Sequence, residues 1–153
     1  MNDTTYSLEN LNEFVGKEIG VSDWMEISQK RIDDFADVTE DRQWIHLDCD
    51  EANAGPFGAP IAHGLLLLSL TVKLADDAGA LPAGASMCVN YGYDKIRFPA
   101  PVKAGQRVRC RAALHKVQER APGRYLLTTR YTIEIEGENK PACVADCLGL
   151  FYR

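Results

Sequence analysis

What this chain has little of narrows its chemistry before anything it contains is considered. Its five cysteines, Cys49, Cys88, Cys110, Cys143 and Cys147, include no C-x-x-C pair. An odd, scattered set points to reduced thiols packed as small apolar groups, not to a disulfide framework or a zinc site. Cys143 and Cys147 look like a pair, but on a strand four residues at about 3.3 Å each separate them by roughly 13 Å, too far for a shared bond or ion. With only three histidines and no G-x-S-x-G segment, neither a metal centre nor a nucleophilic triad is expected. Basic residues are outnumbered, 17 against 22 acidic, for a formal charge of -5 and a pI near 5.2. That balance excludes a general nucleic-acid or anionic-membrane binder and leaves small anionic ligands open through local patches. No apolar run is long enough for a bilayer: the most apolar, Leu65 to Leu74, is interrupted by Ser69, Thr71 and Lys73 and reads as a buried core helix. Met1 to Tyr6 has neither the positive flank nor the apolar run of a signal peptide, so a cytoplasmic location is expected. Repeats and low-complexity segments are also missing.

What remains is a chain of 153 residues, 46% apolar and 25% charged, which predicts one globular domain over residues 1–153. Ser7 offers an N-cap, and Leu8, Leu11, Phe14 and Val15 share a helical face, so a short first helix is expected. Ile19 to Ile27 reads as a strand anchored by Val21, Trp24 and Ile27, weakened by Gly20 and Asp23. Ser28 opens a second helix carrying Ile32, Phe35 and Ala36, and this delivers the chain to Asp41. Residues 39–60 are rich in acidic residues, glycine and proline and read as loop, with a turn of helix at Asp50 to Ala54. Ile61 to about Ala78 reads as a helix apolar on nearly every side, ending near Gly79. Four strand-like runs follow, Ala85–Arg97, Gln106–Gln118, Arg124–Glu136 and Pro141–Tyr152. In the third, Leu127, Thr129, Tyr131, Ile133 and Ile135 alternate with polar neighbours, so one face meets a core and the other meets water. The expected class is α+β, an antiparallel sheet of about five strands curled around one long helix.

The chemistry-bearing cluster lies between Asp41 and Gly64. Asp41 and His46, five residues apart on an irregular stretch, can hold one water between them. Gly64, after Ile61-Ala62-His63, can present a bare backbone N–H to a developing oxyanion at a helix N-terminus. Together they point to addition or removal of water. The bland alternative is that Asp41 caps a turn, His46 is a core-edge histidine and Gly64 permits close packing; an Asp and a His at this spacing are by themselves a weak signal.

Asp41-Arg42-Gln43-Trp44-Ile45-His46-Leu47-Asp48, then Gly55-Pro56-Phe57-Gly58-Ala59-Pro60-Ile61-Ala62-His63-Gly64, resembles the MaoC-like (R)-specific enoyl-CoA hydratases and within them the nodulation protein N-like branch. Asn90-Tyr91-Gly92 and Lys95 to Val102 are similar to that branch as well, and the likeness runs from about Leu8 to Tyr152. The resemblance implies a hot-dog fold and a homodimer with active sites at the subunit boundary. It implies reversible hydration of trans-2-enoyl-CoA to (R)-3-hydroxyacyl-CoA in fatty-acid metabolism, the coenzyme A thioester being substrate and no cofactor being needed.

By that likeness Asp41 and His46 are the catalytic pair, with Asp41 assigned as main base and His46 as proton donor, although the reverse order also serves. Gly64 is the oxyanion donor. Ile45, Leu47 and Trp44 are candidate apolar walls. Gln43, Trp44 and Ser69 are the candidate substrate-binding residues: Gln43-Trp44 stands where many of these hydratases have Asn-Pro, and the Ser69 hydroxyl either assists the water or bonds back to its own helix. His63 is assigned to fixing the loop and Asp48 to organising it. Asn90 and Tyr91 either line an acyl pocket or pack on the sheet, and Lys95 and Arg97 either meet coenzyme A phosphates or remain solvated. Two other readings stay open: an acyl-CoA thioesterase on the same fold, and a non-catalytic acyl-CoA-binding or regulatory protein.

Overall fold

The computed structural model describes residues 5–153. Three short strands-and-turns precede the main body: a 3-10 turn at Leu11–Phe14, β1 at Glu18–Val21 and β2 at Met25–Glu26. Helix α1 (Gln29–Thr39), a second 3-10 turn (Trp44–His46), α2 (Asp50–Ala54) and α3 (Gly64–Asp77) follow, and then β3 (Met87–Arg97), β4 (Arg107–Ala121), β5 (Arg124–Ile135) and β6 (Cys143–Tyr152). The strands form one antiparallel sheet in the order β1-β4-β5-β6-β3, with β2 also paired to β4.

The sheet has six strands, one more than expected, because the run from Ile19 to Ile27 breaks at Ser22. There the Ser22 hydroxyl accepts the Cys110 N–H at 2.9 Å while donating to the Asp23 carbonyl. A side chain thereby takes a ladder position and the backbone turns away between β1 and β2. The expected first helix is reduced to the turn at Leu11–Phe14. Both the Ser7 N–H and hydroxyl bond to Asn10 Oδ1, at 2.9 and 3.1 Å, so the N-cap candidate closes a local turn and starts no helix. Leu8 and Leu11 still reach the core, whereas Val15 is exposed.

Helix α1 forms where its pattern places it. Ser28 Oγ accepts the Arg31 N–H, satisfying one orphan donor, and Ile32 and Ala36 are buried. Helix α3 starts at Gly64, three residues later than the apolar run suggests, because Ile61 and Ala62 are held by tertiary partners: Ile61 N–H donates to Ile45 O at 2.9 Å and Ala62 N–H to Val102 O at 2.7 Å. Gly79, at φ +67°, follows its last turn in a conformation that suits glycine.

The concave face of the sheet packs on Leu66, Leu67, Leu74 and Ala75 of α3, together with Val108, Cys110, Ile133 and Cys143 of the strands. The alternation in β5 is as read: Leu127, Thr129, Tyr131, Ile133 and Ile135 are buried. Each such aliphatic side chain contributes roughly 1.5–3 kcal/mol of burial. The sheet packs on one side of α3, and Leu65 and Val72 on its other side are 61% and 56% exposed. All five cysteines are unpaired, and burial pushes the Cys143 and Cys147 thiols up to about 11, as suits inert packing groups.

Candidate active site

The site is assembled where the end of α1, the second 3-10 turn and the start of α3 meet. Helix α1 is stopped by Glu40, whose φ of 60° turns the chain into the left-handed region, and Thr39 Oγ1 accepts the Asp41 N–H at 3.4 Å. This leaves the exposed Asp41 side chain at the mouth of a loop. The next turn is closed by His46 N–H on Gln43 O and Leu47 N–H on Trp44 O, at 3.0 and 3.1 Å. It carries His46 inward until only 6% of that residue is exposed.

Two hydrogen bonds define the tautomers. His46 Nδ1 lies 2.7 Å from the Ile61 carbonyl, which can only accept, so Nδ1 carries the proton and Nε2 the lone pair. His63 Nε2 donates to the Asp41 backbone carbonyl at 2.9 Å, and its buried Nδ1 has no partner among the described residues. The imidazoles stack with centroids 3.6 Å apart and planes 23° from parallel, and Phe35 lies 5.0 Å from His63. One carboxylate oxygen of Asp41 and one nitrogen of each histidine fall within 4.8 Å of one another. Two hydrogen bonds of about 2.8 Å meeting at a tetrahedral water span about 4.6 Å, so this spacing suits a single bridging water.

Burial, above all, pushes the His46 imidazole below its ordinary range; the bond to Ile61 and the Asp41 charge oppose this, and His63 reinforces it. Near neutral pH His46 is therefore an uncharged acceptor. The three side chains are also of metal-ligating type, with their ligand atoms within 4.8 Å of one another.

Gly64 begins α3, and His63 at the N-cap makes no side-chain capping bond. The first N–H groups of a helix lack intrahelical acceptors and sit at its positive end. A Cβ on Gly64 would lie 2.9–3.1 Å from the near atoms of the Phe98 ring. A cleft of about 350 Å³ opens here, walled by Ile45, His46, Ile61, Gly64, Leu67 and Phe98 among others.

His46 and Gly64 thus share one cleft, with the Asp41 carboxylate beside His46. The other candidates stand elsewhere. Gln43 is exposed at the start of the turn. The Trp44 ring seats against Gly55, whose Cβ would come within 3.0 Å of it, and so props the turn from outside the cleft. Ser69 donates to its own helix at Leu65 O, 2.8 Å away, on the exposed side of α3. Of the proposed walls Ile45 lines the cleft, and Trp44 and Leu47 do not. Asp48 accepts from Asn53 at 3.3 Å, and Lys95 lies 3.7 Å from Asp146. Asn90 lines a separate apolar cavity of about 210 Å³ between α3 and the sheet, with Val72, Ala75, Cys88 and Tyr131, whereas Tyr91 is 65% exposed.

Sequence reasoning missed two contributors. Phe98 was seen only as part of a motif, and its seat on Gly64 has no local signal. Gln29 donates to the His46 carbonyl at 2.9 Å across 17 positions, which nothing in its neighbourhood announces.

Comparison with known proteins identifies the family and the fold. The MaoC-like domain model matches residues 10–135. The chain is 43% identical over 145 residues to 3-hydroxyacyl-thioester dehydratase Z of Mycobacterium tuberculosis, covering 95% of each. It is 41% identical over 141 residues to nodulation protein N of Rhizobium leguminosarum bv. viciae, covering 92% of this chain and 88% of that one. Among solved structures, a MaoC-like dehydratase from Rhodospirillum rubrum superposes with a TM-score of 0.76 at 20% identity over 96% of this chain and 97% of that one. An (R)-hydratase from A. caviae gives 0.69 at 24% identity, covering 85% and 93%. These structural likenesses establish the hot-dog architecture.

Proposed function

The chain belongs to the MaoC-like domain family, and we propose that it is a hydro-lyase that reversibly adds water to a trans-2-enoyl-CoA thioester to give the (R)-3-hydroxyacyl thioester. The observation that carries this reading is that His46 and the uncapped start of α3 at Gly64 line one cleft, with an Asp41 carboxylate oxygen within 4.8 Å of a His46 ring nitrogen. The dehydratase name of its 43% identical relative supports the same reaction class.

Hydration needs a nucleophilic water at C3, a proton at C2 and relief of the negative charge that builds on the thioester oxygen. The thioester oxygen rests on the Gly64 N–H, where the helix end favours the enolate-like charge. Asp41 and His46 hold the water. The tautomer favours His46 as base, the opposite of the assignment with Asp41 in that role: its Nε2 is unprotonated and aimed away from Ile61. As the water oxygen bonds to C3, one water proton moves to Nε2, and the imidazolium returns it to C2 as the enolate collapses; the Asp41 carboxylate orients the water and stabilises the transient cation. Atoms and charge balance without a metal or redox cofactor.

The same reading makes the enzyme a cytoplasmic homodimer. The unpaired outer edge of β3 presents Met87, Val89 and Tyr91, and α3 presents Leu65 and Val72, all exposed. A second copy would cover them.

The test is hydration of crotonyl-CoA and longer enoyl-CoAs with chiral analysis of the product. Asp41→Asn and His46→Gln should each lower turnover by about 10²-fold or more while the circular dichroism spectrum is kept. Normal turnover in both overturns the mechanism. Release of free thiol without prior loss of enoyl absorbance would indicate hydrolysis, and saturable binding without turnover would indicate a binding protein.

A further inference from the structure

Gln29 holds the catalytic turn from the neighbouring helix. Its Nε2 makes two hydrogen bonds, 2.8 Å to Asp33 Oδ1 and 2.9 Å to the His46 carbonyl. An amide nitrogen has two hydrogens, so both are used. Its Oε1 is buried without a partner. Flipping the amide would bring that oxygen against a carboxylate and a carbonyl, neither of which can donate. The two acceptors therefore fix the orientation, and a buried orphan oxygen is tolerated in order to keep it.

The consequence falls on His46. The turn that carries it has three residues, Trp44–His46, too few for the turn to be stable alone. Contacts from outside hold it, among them the Trp44 ring on Gly55, the Ile45 carbonyl on the Ile61 N–H, and the His46 carbonyl on Gln29. Among the described residues only Gln29 grips the backbone of His46 itself from another element. Both the Nδ1–H bond to Ile61 at 2.7 Å and the stack on His63 at 3.6 Å require that the ring leave the backbone at one angle. Asp33, one turn further along α1, holds the amide in place.

We propose that Gln29 is a positioning residue that sets the direction of His46 Nε2 through its backbone carbonyl, with Asp33 as the anchor of that amide. The inference rests on His46 being the base of the hydration. Gln29 does not line the cleft, so its loss displaces a catalytic group without removing one, and displacement of this kind costs on the order of 10-fold to 100-fold in rate.

The experiment uses the full chain and three variants. Gln29→Met keeps length and shape and removes the donor; Gln29→Glu keeps shape and sets a carboxylate against Asp33 and the His46 carbonyl; Asp33→Asn keeps an acceptor for the amide. Expected are a kcat lower by about 10-fold in Gln29→Met with KM little changed, a larger loss in Gln29→Glu, and in Asp33→Asn, whose amide oxygen is a weaker acceptor than the carboxylate, a loss smaller than in Gln29→Met. Nitrogen-15 NMR of the imidazoles should show His46 losing its single Nδ1–H tautomer in Gln29→Met, a signal that a merely structural role would not move. Unchanged kcat and an unchanged His46 tautomer in Gln29→Met overturn the proposal, as does a fall in kcat that only tracks a loss of folded protein by thermal melt. Full activity in His46→Gln would instead overturn the underlying reading, so the two failures are distinct.

Discussion

Gly64→Ala separates two reasons for a glycine at the head of α3. The added Cβ would lie 2.9 Å from Phe98 Cγ and 3.0 and 3.1 Å from its two Cδ atoms. Ordinary carbon contacts are about 3.5–4.0 Å, so the ring must retreat by roughly 0.6 Å or more. Phe98 is 43% exposed, and it can yield outward. Overpacking typically costs about 1–3 kcal/mol, and alanine returns up to about 1 kcal/mol of helix propensity. The net loss is therefore about 0–2 kcal/mol, a fall in Tm of a few degrees at about 2–4 °C per kcal/mol. Activity should fall much further, by about 10²–10³-fold in kcat, if the methyl group blocks the thioester oxygen from the N–H. The assay is hydration of crotonyl-CoA followed by loss of the enoyl absorbance, with thermal melts in parallel. The decisive sample is Gly64→Ala combined with Phe98→Ala, which removes the clash and leaves the methyl group. Stability should return and turnover should not. Recovery of turnover in the double variant would refute the oxyanion role and leave Gly64 as a packing glycine.

How much of this was readable in the chain depends on whether the controlling contact is local. The alternation of β5 is a period of two with one face buried, and the Ser28 cap of α1 lies within three residues of its acceptor; both were readable for that reason. The start of α3 was not, because Ile61 and Ala62 continue the apolar run yet give their N–H groups to Ile45 and Val102. The sixth strand was hidden by the Ser22 hydroxyl, whose partner Cys110 is 88 positions away. At the site, the residue types at Asp41, His46 and Gly64 and their family resemblance made them candidates, and the structure brings His46 and Gly64 to one cleft with Asp41 beside His46. The stacked histidines, the Phe98 seat and the Gln29 bond are long-range contacts between residues of ordinary type, and they decide tautomer and direction. That is why the order of base and acid was open in the sequence, and why the proposal of His46 as base rests on its Nδ1 bond to Ile61.

Two predictions remain, one on assembly and one on pH. The exposed α3 and β3 faces predict that sedimentation yields twice the 17.0 kDa chain mass, and that Val72→Asp with Val89→Asp yields the single chain; a wild-type monomer would overturn the dimer. The pH prediction follows from the lowered His46 range, caused chiefly by burial. Its folded value lies beneath the unfolded value of about 6.5, so above that pH both states carry a neutral ring and the contribution to stability is intact. As pH falls below about 6.5 the unfolded chain takes up a proton that the native chain refuses, and unfolding free energy drops at up to about 1.4 kcal/mol per pH unit until the folded value is reached. Denaturant titrations between pH 7 and pH 5 should show that slope in the wild type and a shallower one in His46→Gln, and the acid limb of hydration should lie below about 6.5. Equal slopes in the two proteins would mean that His46 is not held neutral, and a neutral ring is what allows its Nε2 to take a proton from water.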